Sequence, residues 1–244
     1  MNIHFTDTEL KEQLESNALT KTIVGSHLYK LNNKDSDFDI LTIYKENNNS
    51  FLWEHHQLQY NTEDDLLFTS LNTFIRNILT GDSTINFEVL MSDELYGTEL
   101  EFLIQHRKEF ITYNLIKSYL GLAKRDFKNR KDPKKLSHFL RGVYFAEMLM
   151  NSNFKLFDYE GYEDVKSAKE GTLLDKEFIA QSAELKMLEL RTELNNRLKS
   201  NKISLYPSTK TLKEIETKCI NLQSDAEHID YKDIILDSLS GINY

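Results

Sequence analysis

Apolar positions recur along this chain of 244 residues with two different periods, and the change falls near residue 110. Before it, short β-branched or apolar runs at 21–24, 38–44, 56–60 and 85–91 read as strands. Thr6-Asp-Thr-Glu9 has the spacing of a capping box and predicts a helix to about Asn17. Leu67, Leu71, Phe74, Ile75 and Ile78 fall at helical spacing over 66–79, and Gly81 stands where a helix would stop. Ser92-Asp-Glu predicts a helix start running towards His106. After residue 110 the pattern is helical throughout, with helices expected at 113–129, 133–151, 164–169, 175–200 and 210–221, and Pro133 suits a first helical position. The expectation is an α/β (α+β) half over 1–110 followed by an all-helical half over 111–244. No Pro/Gly/Ser-rich linker marks the junction, so the halves are expected to pack closely. Residues 31–36 and 46–50 are turn and loop chemistry, and the last twenty residues are polar and weakly patterned.

Composition narrows the class. Hydrophobic residues make up 40% of the chain, ample for a core. No run of apolar residues is long enough to span a membrane, and the N-terminus lacks the basic and apolar regions of a secretory signal. Cys219 is the single cysteine, which rules out an internal disulfide, suits a reducing cytoplasm, and reads as a small buried hydrophobe. The net charge is −9, yet the segment 117–141 holds nine Lys/Arg against two Asp, a net +7, leaving −16 for the rest. Overall acidity argues against a general nucleic-acid coat. A basic stretch inside an acidic chain suggests a place for phosphates, with a solvated helix face as the plainer reading.

The candidate chemistry is concentrated early. Gly25-Ser26 follows an apolar run, and a glycine there lets backbone and ligand approach closely. Asp37 and Asp39, two apart at the start of a strand, are expected side by side. Two such carboxylates repel unless a cation lies between them, and oxygen-loving Mg²⁺ is the usual one when phosphate is the other ligand. Lys134, His138 and Arg141 share one helical face. His4, His55, His56 and Trp53 have no ligand spacing and read as surface, core or rim residues.

Together, Ile23-Val24-Gly25-Ser26 and Ser36-Asp37-Phe38-Asp39-Ile40 resemble the signature of the DNA polymerase beta superfamily of nucleotidyltransferases. The Gly-Ser-x-x-Tyr of Gly25 to Tyr29, the stretch Asp65-Leu-Leu-Phe-Thr-Ser-Leu-Asn-Thr-Phe74, the stretch Thr84-Ile-Asn-Phe-Glu88-Val-Leu90, and Lys134-Lys-Leu-Ser-His138-Phe-Leu-Arg141 are similar to segments of a predicted RNA-repair-associated subgroup. The chain departs from that pattern at Lys30, where glycine is usual, and at Thr69 and Thr73.

The resemblance implies a polymerase-beta-like core with a mixed sheet, and transfer of a nucleoside monophosphate from an NTP to a hydroxyl with release of pyrophosphate. Asp37 and Asp39 would hold Mg²⁺ or Mn²⁺. Gly25 and Ser26, with Ser36, would bind the phosphates, and Lys30, Lys134, His138 and Arg141 would add positive or hydrogen-bonding groups. Two residues compete as the third carboxylate: Asp65, which also reads as a helix N-cap, and Glu88, which in an apolar strand needs a partner such as a metal or a base. The acceptors in view are an RNA end, a protein side chain and a small molecule such as an antibiotic. A different class stays open, an antitoxin-like or regulatory module that modifies or binds a protein partner. Nothing in the sequence sets the oligomeric state.

Overall fold

The computed structural model describes residues 2–34, 36–46, 57–61, 65–227 and 229. Trp53, His55, His56, most of the loop expected at 46–50 and most of the last twenty residues lie outside them. Five strands form one mixed sheet: β1 (Asn2–Phe5), β2 (Ala18–Val24), β3 (Asp39–Tyr44), β4 (Gln57–Asn61) and β5 (Asp65–Ser70), in the order β1-β4-β5-β3-β2. β1 runs parallel to β4 and β3 parallel to β5, while β4–β5 and β2–β3 are antiparallel. The architecture is the expected α+β one.

Alternation along the strands divides the core in two. Leu41, Ile43 and Leu67 face a large cluster that continues through the helical half as far as Cys219. Tyr44, Leu58, Phe68 and Phe5 face a smaller cluster completed by Leu10 and Leu14 of α1 (Thr8–Ser16). Asp7, not Thr6, caps α1, accepting from the N–H groups of Glu9 at 2.8 Å and Leu10 at 3.2 Å.

Between β2 and β3 lies one helical turn, α2 (Gly25–Leu28). α3 (Leu71–Thr80) starts at Ser70, whose hydroxyl accepts from the N–H of Thr73, and ends at Gly81 in the left-handed conformation. The helix expected over 66–79 is therefore strand in its first part. Leu67 of β5 faces the same core as Leu71, Phe74, Ile75 and Ile78, so the apolar pattern runs on unbroken across the strand–helix junction.

The run at 85–91 is not a strand but a helix, α4 (Thr84–Met91), capped by Ser83. Asn86 to Leu90 are all buried, and a short helix covered all round has no polar stripe to set its period apart from a strand's. The helix expected after Ser92 is instead a set of turns, in which Gly97 takes a left-handed φ of 72°, followed by a 3-10 segment, Glu101–His106.

The helical half comprises α5 (Tyr113–Phe127), α6 (Pro133–Met150), α7 (Tyr162–Glu170), α8 (Lys176–Lys199) and α9 (Thr209–Gln223), close to the expected spans. Pro133 is at the start of α6 behind the N-cap Asp132. α6 packs against α5, α7 and α8 and carries its basic N-terminal turns towards α2 and β3.

Candidate active site

The site begins with a backbone constraint. Val24 of β2 pairs with Asp39 of β3, and the chain leaves β2 through Gly25 at a φ of 67°. A Cβ at that position would stand 2.3 Å from Oδ2 of Asp39. Glycine is thus required both by the left-handed turn and by the carboxylate lying against it. Ser36 closes the approach to Asp37: its Oγ accepts from the N–H of Asn33 at 2.9 Å and donates to Oδ1 of Asn33 at 3.0 Å. Asp37 is exposed and Asp39 half-buried, and both face one pocket of about 460 Å³.

Gly25, Ser26, Tyr29, Ser36, Asp37 and Asp39 line one side of this pocket. Lys134, Ser137, His138 and Arg141 of α6 and Lys169 of α7 line the other. The structure thus brings together residues more than a hundred positions apart. Lys169, Tyr29 and Ser137 were not among the expected site residues. Tyr29 carried a signal in the Gly-Ser-x-x-Tyr spacing, whereas a lone lysine on a charged amphipathic helix carries none.

The cations crowd one another. Burial, then the nearby Lys134 and Arg141, hold the Lys169 ammonium below its ordinary pKa, with Asp39 pulling the other way. Burial and the charge of Arg141 push His138 down to about 4, so at neutral pH its imidazole is uncharged. It enters the pocket as a hydrogen-bonding group between the cations Lys134 and Arg141. Behind it sits Asp126, a buried carboxylate 3.7 Å from His138 Nδ1 and held by Arg125 at 2.9 and 3.0 Å. Burial would raise the pKa of Asp126, but the bonds from Arg125 bring it below its ordinary value.

Two expected residues are elsewhere. Lys30 does not line the pocket with Asp37 and Asp39. Its ammonium lies 3.8 Å from the centre of the Phe157 ring, and its carbonyl accepts from Tyr162 Oη at 2.8 Å. Lys30 takes a left-handed φ of 57°, which is the physical reason glycine suits this place. Glu88 is fully buried on α4 and also stands back from the pocket lining. Its partners are Tyr119 Oη at 2.8 Å and Tyr29 Oη, one on each carboxylate oxygen. The partner that the sequence demanded for a buried carboxylate is therefore a pair of phenols.

Asp65 is the first residue of β5, not a helix cap. Ile40 pairs with Leu66, so the backbones of Asp39 and Asp65 stand at one level of the sheet. The side chain of Asp65 is not among those described. Among the described residues no group of three or more His, Cys, Asp or Glu could hold a metal alone. Asp37 and Asp39 still fit a divalent cation as a partial set. Magnesium is commonly held by one or two carboxylates plus substrate phosphates, and the carboxylate of Asp39 sits where only a glycine leaves it room.

The profile of the nucleotidyltransferase domain family matches residues 8–132. The chain belongs to this family. The matched span takes in the Gly25-Ser26 turn, Asp37, Asp39 and Asp65, and stops at the foot of α6. Lys134, His138, Arg141 and Lys169, the opposite wall of the pocket, lie beyond it. No curated protein matches the chain. No helix among the described residues is long and apolar enough to cross a membrane.

Proposed function

We propose that this protein transfers a nucleoside monophosphate from an NTP to a hydroxyl acceptor, releasing pyrophosphate, with residues 1–110 as the catalytic half and 111–244 as a helical half that closes over the substrate. The observation that carries the reading is the pocket itself. Two carboxylates and the Gly25-Ser26 turn face Lys134, Arg141 and Lys169 across one cavity. Such a site suits a polyphosphate with a divalent cation.

Asp37 and Asp39, with Asp65 at the same level of the sheet, would hold Mg²⁺ or Mn²⁺. The cation, when bound, offsets charge on the triphosphate and on the attacking and leaving oxygens. Gly25 and Ser26 hydrogen-bond the β- and γ-phosphates. Lys134, Lys169 and Arg141 hold the chain from the helical side. His138, uncharged, orients a phosphate or acceptor oxygen. The acceptor oxygen bonds to the α-phosphorus, the bond from that phosphorus to the bridging oxygen breaks, and Asp65 takes the hydroxyl proton.

Lys124, Lys128 and Lys131, close before Lys134 in the chain, are exposed, and such a basic stretch favours a polyanionic acceptor such as an RNA end. The net charge of −9 favours a protein acceptor or partner instead. The test is incubation with each labelled NTP, Mg²⁺ or Mn²⁺, and a panel of RNAs and proteins. Absence of both labelled product and pyrophosphate with every acceptor would sink the reading. Replacing Asp37 and Asp39 together by Ala should abolish transfer in a folded protein.

A further inference from the structure

The molecule buries a carboxylate that the proposed chemistry does not use. Glu88, on α4, is fully covered, and one phenolic hydroxyl donates to each of its oxygens: Tyr29, at the end of α2, and Tyr119, from α5. Burial raises the pKa of Glu88, while the charge of Arg141 and the two phenolic donors, one on each oxygen, pull it back towards the ionised form. Arg141 is the cation nearby, yet its guanidinium carbon lies 4.0 Å over the face of the Tyr29 ring and 5.8 Å from that of Phe145. The charges of Glu88 and Arg141 act on each other, but among the described residues no ion pair within 4.0 Å joins Arg141 to a carboxylate. The tyrosine stands between them, its hydroxyl bonded to the acid and also interacting with the Arg141 guanidinium, its ring stacked under the base, so that one donor of Arg141 is engaged and the rest of its edge is free of any carboxylate among the described residues. Both Tyr29 and Arg141 line the pocket.

This arrangement has a chemical consequence. A guanidinium in a direct fork-to-fork pair with a carboxylate spends the donors that would meet a phosphate. A guanidinium stacked on a ring keeps its edge open while its face is held. Glu88 supplies the compensating charge at one remove and fixes the tilt of the ring that supports Arg141. The same ring ties α2, the turn that begins with Gly25-Ser26, to α4 and α6.

We infer that Glu88 is a positioning residue: through Tyr29 it sets the Arg141 guanidinium, edge open, for the phosphates of a nucleoside triphosphate. The inference rests on the reading of the pocket as a polyphosphate site and names the part of the fold that sets its affinity. Glu88 itself touches no substrate.

The test measures binding of inorganic tripolyphosphate with Mg²⁺, by calorimetry on the full chain, for wild type, Glu88→Gln, Arg141→Met and the double variant, with Tm recorded for each. Loss of one charge-assisted contact corresponds to about tenfold in Kd. Glu88→Gln and Arg141→Met are each expected to weaken binding by about that factor, and the double variant by no more than Arg141→Met alone, because Glu88 acts only through Arg141. Tyr29→Phe, which keeps the ring and removes the hydroxyl, should reproduce part of the Glu88→Gln loss and keeps the test decisive where Glu88→Gln fails to fold. Unchanged affinity in Glu88→Gln or Tyr29→Phe, or losses that add in the double variant while Tm falls, would assign Glu88 to the core alone and overturn the inference. A wild-type protein that binds no tripolyphosphate overturns the pocket reading, and the inference with it. Wild-type binding with equal affinity in the variants overturns the inference only.

Discussion

Gly25→Ala is the sharpest perturbation of the site, because one methyl group acts on both the backbone and a carboxylate. The backbone cost comes from the φ of 67°, where a Cβ is disfavoured by about 1–2 kcal/mol. For a domain of this size that is a Tm lower by roughly 2–8 °C. The second cost falls on geometry. The new Cβ would lie 2.3 Å from Asp39 Oδ2 and 3.3 Å from its Cγ. Carbon–oxygen contacts relax to about 3.3 Å or more, so the carboxylate must move by about 1 Å. The end of a side chain can do that without unfolding the strand. A misplacement of about 1 Å at a reacting centre costs about a hundredfold in rate. The expected outcome is therefore a folded protein, slightly less stable, with transfer reduced about a hundredfold and weaker Mn²⁺ binding. Differential scanning fluorimetry, pyrophosphate release and calorimetric Mn²⁺ titration report the three effects separately. A Gly25→Ala protein with undiminished transfer and Mn²⁺ affinity would refute the claim that Asp39 must sit against this turn.

Other outcomes follow from the same geometry. Lys169→Met should weaken tripolyphosphate binding by about tenfold in calorimetry, with Lys169→Arg restoring most of it; equal affinity in Lys169→Met would remove α7 from the site. His138, pushed down to about 4, stays neutral while the unfolded chain takes up a proton near 6.5. It therefore contributes stability that is present above that pH and lost as pH falls towards 4. His138→Gln should flatten this part of the stability profile, and the imidazole resonance should titrate near the lower value; titration near 6.5 would contradict the burial of this ring among cations. Gly81→Ala should destabilise the fold by more than about 1 kcal/mol, read by urea unfolding. Gly81 holds a φ of 72° and its Cβ would meet the backbone of Asn114 and Leu115 at 2.8 Å, where nothing flexible can yield.

Local chemistry was the legible part. The Gly25-Ser26 turn, Ser36-Asp37-Phe38-Asp39 and the start of α6 at Pro133 are set by residues within a few positions of one another, so the order of types along the chain carries the geometry. Glu88 shows where local pattern fails. Its apolar neighbours suit a strand or a helix equally, and the helix is chosen because Ser83 caps it and the core surrounds it on every side. The demand that a buried carboxylate have a partner held, but the identity of that partner could not be read: Tyr29 and Tyr119 come from 59 and 31 residues away. Lys30 stands over Phe157, away from the carboxylate pocket, for the related reason that a residue's place along the chain does not say which way its side chain leaves a turn.

The sequence by itself determined the change from strands mixed with helices to helices alone, the carboxylate pair and the glycine turn that faces it, because hydrogen bonds and steric limits over short spans fix these elements wherever they occur. Only the tertiary structure decided what stands opposite. Lys169 reaches the pocket because α7 packs on α6, and Arg141 of α6 rests on the ring of Tyr29 at the end of α2. Such contacts depend on helix packing over long separations, and single residues that meet this way leave no local trace.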